Sequence, residues 1–160
     1  MKKALKIAAP ILVAALFYGC PYSADVPISD PSLNLPADLI GKWAAPDDET
    51  TYYQITRTTD AKAKIEEYSL DENGEDTDGP TVYEAHVSEV EGEKYINIFD
   101  PSMDSYYLYK MELTPASLTL YPVTDYIEES FSSSDKLKAF IAKYQHLSFF
   151  FGGSSEYEKK

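Results

Sequence analysis

Few side chains in this sequence could do covalent chemistry. One cysteine, Cys20, and two histidines, His86 and His146, occur among 160 residues. A nucleophile of the Ser–His–acid or Cys–His type would need one of those histidines as its base. Neither stands near a glycine-rich nucleophile elbow. His86 shares one face of an expected strand with Glu84 and Ser88, and His146 ends an expected helix. Asp and Glu number 27, yet no spacing singles out an acid–base pair. A single cysteine excludes a disulfide framework and a cysteine-rich zinc site. The expectation is a protein that is not an enzyme and carries no cofactor or metal. The 27 acids face 14 Lys and Arg, a formal charge of -13. That charge repels phosphate backbones and excludes nucleic acid as a partner.

The chain is rich instead in groups that bind without reacting. It has 14 tyrosines. Tyr52-Tyr53 and Tyr106-Tyr107 are adjacent pairs, so each pair faces both sides of a strand. Tyr53 has the parity of Ile55, Tyr83 that of Ala85 and Val87, and Tyr107 and Tyr109 that of Met111 and Leu113. A tyrosine offers a ring with a polar tip, which suits either barrel filling or a pocket for an amphiphile or a sugar. The acidic run Asp71 to Gly79 fails as an EF-hand. With Gly79 at the sixth position the first is Gly74 and the twelfth Ala85; with Gly74 at the sixth, the twelfth is Pro80. It reads as a solvated hairpin loop.

The N-terminus carries an address. Lys2, Lys3 and Lys6 precede an apolar run from Ile7 to Tyr18. That run falls short of the ~20 residues needed to span a bilayer and has the length of a signal h-region. It ends at Leu16-Phe17-Tyr18-Gly19-Cys20. Here the chain resembles bacterial lipoprotein precursors with a lipobox: a small residue, Gly19, precedes the cysteine. The resemblance implies a signal peptide over 1–19, cleavage between Gly19 and Cys20, and acylation of Cys20, which would anchor the chain in a bilayer. Losing Lys2, Lys3 and Lys6 would leave 11 basic against 27 acidic residues, a charge of -16. It also implies a bacterial cell envelope, with the outer membrane favoured over the inner because Pro21, not aspartate, follows the cysteine.

Residues 20–36 contain Pro21, Pro27, Pro31 and Pro36 and no apolar period. They read as an extended tether reaching roughly 50 Å, or in part, near Leu33 to Leu35, as an arm on the domain. From Ala37 to Lys160 the texture is strand and turn. After a short helical turn over Ala37 to Ile40, strands are expected near 41–46, 50–58, 61–70, 80–90, 94–100, 105–113 and 117–122, with a bulge at Glu66–Glu67 where the apolar parity switches. Leu137, Phe140, Ile141 and Tyr144 form one helical stripe, and Leu147 to Phe151 reads as the last strand. The fold class is therefore mainly β: an antiparallel meander of about eight strands, with one C-terminal α-helix before the last strand.

The helical turn before Gly41-Lys42-Trp43, the meander and the late helix together resemble lipocalin-like barrels. The resemblance implies a barrel or half-barrel over 37–160, with Trp43 closing its base and Tyr53, Tyr83, Tyr107 and Tyr109 as candidate ligand-facing residues. It further implies an anchored, non-catalytic binding module for an apolar or amphiphilic small molecule. The charge supports an alternative, an acidic, inhibitor-like protein for a cationic protein partner, or a purely structural envelope component.

Overall fold

The computed structural model describes residues 22–76, 78–124 and 127–160. In chain order the elements are β1 (Ser23–Ala24), a 3-10 turn (Ala37–Leu39), β2 (Gly41–Ala44), β3 (Thr51–Arg57), β4 (Ala63–Ser69), β5 (Thr81–Val90), β6 (Glu93–Asp100), β7 (Ser105–Leu113), β8 (Ser117–Pro122), α1 (Ser134–Tyr144) and β9 (Ser155–Lys159). Strands β2 to β8 run as an up-and-down meander. β9 pairs with β8 on one side and β2 on the other, closing an eight-stranded antiparallel barrel. Short turns enforce this order. Glu91 and Gly92 join β5 to β6 with φ of 51° and 88°, the positive pair that a tight hairpin of matching twist requires.

Strict alternation sends one parity of each strand inward. Trp43, Ile55, Ile65, Val87, Ile96, Tyr109, Met111 and Leu118 form the interior cluster. Trp43 is buried in this cluster and donates its Nε1–H to the Leu39 carbonyl at 2.9 Å. Lys159 crosses the same corner, with Nζ 5.4 Å from the Trp43 ring and donating to the Asp38 carbonyl at 2.8 Å. Gly41 permits that crossing. Its φ is 143°, and a Cβ there would stand 2.8 Å from Lys159 Cε.

Three sequence expectations need correcting. The pairing of β4 with β3 and with β5 is continuous, so there is no bulge at Glu66–Glu67. Tyr68 instead points outward and stacks on Tyr52, with ring centroids 4.7 Å apart. The last strand is Ser155–Lys159 rather than Leu147 to Phe151. The latter segment turns on itself and buries Phe150 against α1.

The third correction concerns the tether. Residues 22–35 form a strap along the barrel; the alternative of an arm near Leu33 to Leu35 holds at Leu35, which is buried in the interior cluster, while Leu33 is exposed. β1 pairs with the stretch of the β7 edge that β8 leaves uncovered, Ser23 opposite Tyr107 and Ala24 opposite Tyr106. Tyr22, Ala24 and Ile28 join Val90, Tyr95 and Leu108 from the outer faces of β5–β7 in a second apolar cluster. Leu137 and Ile141 of α1 complete it, with Phe140 and Tyr144 half-buried at its margin. Lys136, Lys138 and Lys143 remain exposed on the other side of the helix. A polar clasp lies under the strap. Asn97, fully buried, accepts from the Ile28 N–H at 2.8 Å and donates to Ser88 Oγ at 2.9 Å. Ser29 Oγ meets Ser88 Oγ at 2.7 Å, and His86 Nε2 meets the Ser29 carbonyl at 2.7 Å.

Candidate functional site: a tyrosine-lined chamber

The barrel is hollow. A cavity of about 480 Å³ occupies its interior, within the range of small-molecule sites. Part of its wall is aliphatic, from Ile55, Ile65, Ile96, Leu118 and Leu120, and Trp43, opposite Tyr53 in the β2–β3 register, also lines it. The strands also supply polar tips. Tyr53 and Glu67 lie directly opposite one another on β3 and β4, one alternate position beyond Ile55 and Ile65. Tyr83 stands one alternate position beyond Ala85 on β5, and Tyr107 and Tyr109 face Ile98 and Ile96 across β7 and β6. Tyr157 of β9 meets Tyr53 edge to face, centroids 5.5 Å apart. Ser23 of the strap, Asp100 and Met103 also line the cavity, and Met103 in the β6–β7 turn is 65% exposed.

The electrostatic centre of the chamber is Glu67. Tyr83 donates its O–H to Oε2 at 3.1 Å, and Tyr53 reaches Oε1 at 3.5 Å. Burial pushes the phenols of Tyr53, Tyr83, Tyr109 and Tyr157 above the ordinary tyrosine range, and the Glu67 charge adds to each shift. These groups therefore stay as O–H donors at neutral pH. No Lys, Arg or His is among the lining residues.

All five candidates in the described barrel, Trp43, Tyr53, Tyr83, Tyr107 and Tyr109, line this one cavity. Gly19 and Cys20 lie outside the described residues. The polar lining residues that the sequence does not single out as site residues are Ser23, Glu67, Asp100, Ser155 and Tyr157. The bulge expected at Glu66–Glu67 leaves the facing of Glu67 open; the unbroken alternation from Ala63 through Ile65 to Glu67 puts it on the inner face. The other polar candidates lie elsewhere. His86 is on the outer face under the strap, and burial holds its pKa below the ordinary histidine value. His146 is exposed. Asp71 is engaged in its own turn, accepting from the Asn73 and Glu75 N–H groups at 2.8 and 2.9 Å.

No family model, curated protein or solved structure matches this chain. The chamber's chemistry is accordingly read from its own residues. It can enclose an apolar body, offer hydrogen bonds from phenols, and present one carboxylate. No helix among the described residues is long and apolar enough to cross a membrane.

Proposed function

We propose that this chain is a lipid-anchored binding protein of a bacterial envelope whose barrel holds an apolar or amphiphilic small molecule without transforming it. The observation that carries the reading is the cavity of about 480 Å³ inside the barrel, walled by aliphatic side chains and by phenols. Such a chamber removes a ligand's hydrocarbon from water while giving its polar end specific partners. The anchor rests on the Gly19-Cys20 lipobox resemblance and the short apolar run before it. The better site for the anchor is the outer membrane.

Two measurements test it. Native mass spectrometry and solvent extraction of the protein purified from its producing cells should recover a bound small molecule, and an apolar fluorophore should be displaced by it. A protein that releases nothing and takes up no apolar probe overturns the binding reading. Labelling with a radioactive fatty acid should be lost in Cys20→Ser, and labelling that persists overturns the anchor. The charge of -13 favours one second reading, a cationic protein partner. Under that reading complex formation with a basic protein such as lysozyme should weaken steeply with salt.

A further inference from the structure

A hydrocarbon chamber needs no carboxylate. Glu67 stands in this one, and its inward position is fixed by the continuous register of β4 with both neighbours. Two phenols bind its oxygens, one on each, and a carboxylate has about four acceptor positions. Half of its capacity is left for something else. Asp100 supplies a second acid at the rim, and no basic side chain lines the cavity. The ion pairs among the described residues, Lys64–Glu66, Lys110–Glu93 and Lys160–Glu158, involve neither acid.

We propose that the chamber selects amphiphiles with a cationic head, a protonated amine or quaternary ammonium, seated against Glu67 with the hydrocarbon against Ile55, Ile65 and Leu120. This deepens the binding reading above and rests on it. An anionic head entering the same space would be desolvated beside two carboxylates with no cation to offset it. A neutral head would gain hydrogen bonds from the phenols but leave the Glu67 charge uncompensated. A cation gains the Coulombic term in a low-dielectric setting. It also gains the attraction of aromatic rings for positive charge, and five tyrosines surround the chamber. Because burial keeps those phenols protonated, they add no competing negative charge of their own.

Trp43 is the only tryptophan, lines the cavity and is 1% exposed, so its fluorescence reports occupancy. The full chain carrying Cys20→Ser would be titrated with decyltrimethylammonium, decanol and decanoate, three probes with one tail and three heads. Salt of roughly 0.3 M suppresses the general pull of the acidic surface on cations. The cationic probe should bind about tenfold or more tighter than decanol, a difference of about 1.4 kcal/mol, with decanoate weakest. Glu67→Gln should collapse that preference. Glu67→Leu, compatible with the neighbouring aliphatic wall, should reverse it in favour of decanol. Decanol or decanoate binding as tightly as the cation would overturn the head-group assignment while leaving the cavity a binding site. So would a preference that persists in both folded variants. If none of the three probes alters Trp43 fluorescence or displaces an apolar fluorophore, the binding reading itself fails. Should one Glu67 variant not fold, the ranking of heads on the unsubstituted site and the other variant still decide.

Discussion

Tyr53, Tyr83, Tyr109 and Tyr157 fold as neutral phenols in a space that opposes their ionisation. In the unfolded chain tyrosine loses its proton near pH 10. In the fold that loss is deferred to higher pH. Above about pH 10 the unfolded state therefore binds fewer protons than the native state, and stability falls as pH rises. Urea midpoints should be flat from about pH 7 to 9 and drop by about pH 11, with a shallower drop for Tyr53→Phe. Equal slopes for the two proteins would remove the chamber from the explanation. Trp43 also lines the cavity. Trp43→Ala should cost about 3–5 kcal/mol, read by circular dichroism in urea, because it removes a buried ring and its bond to Leu39. A loss under about 1 kcal/mol would mean that the ring contributes little to the core. At this scale the four candidate tyrosines were legible because each shares parity with an aliphatic neighbour. Glu67 was not: a charge reads as outward unless the register is known, and register is a property of strand pairing rather than of the residue.

At the scale of elements, the meander was legible from alternation and turn residues, and most strand ends fell within a residue or two. The strap was not. Its apolar residues, Tyr22, Ala24, Ile28 and Leu35, are scattered among prolines with no period, and their burial depends on a surface made elsewhere. The hint lay on that surface: Val90, Tyr95 and Leu108 put large apolar groups on the face opposite the interior. The strap's hold is polar as well as apolar. Asn97→Ala would leave the Ile28 N–H without its acceptor and cost about 1–3 kcal/mol. Hydrogen exchange should accelerate at Ile28 and spare the amides of β3. Acid should act on the same clasp. Burial lowers the His86 pKa in the fold, so the unfolded chain takes up its proton first, near pH 6.5. Stability contributed here is lost as pH falls below about 6.5. Protection at Ile28 should decline at about pH 5, less so in His86→Gln; unchanged protection in both would show that the clasp does not depend on the imidazole.

The whole molecule depends on its last strand. β9 separates β2 from β8 and pairs with both, so a chain ending before Ser155 would leave two unpaired edges facing solvent. Such a truncation should self-associate, seen as early elution in size-exclusion chromatography; a monomeric truncation would mean that β2 and β8 can close on each other. This closure was poorly legible, because Ser-Glu-Tyr-Glu-Lys carries a single large apolar residue and becomes a strand only between two waiting edges. The strap bears on the molecule's setting as well. Its first strand residue, Ser23, is itself part of the cavity wall, and Cys20 precedes it by only three residues. Three residues reach no farther than about 10 Å. A chain acylated at Cys20 would thus be a boat moored at its hatch rather than a buoy on a long line. Its opening would draw from the two-dimensional pool of molecules dissolved in the leaflet, where local concentration is set by partitioning and lateral diffusion, and would scarcely sample the bulk water above.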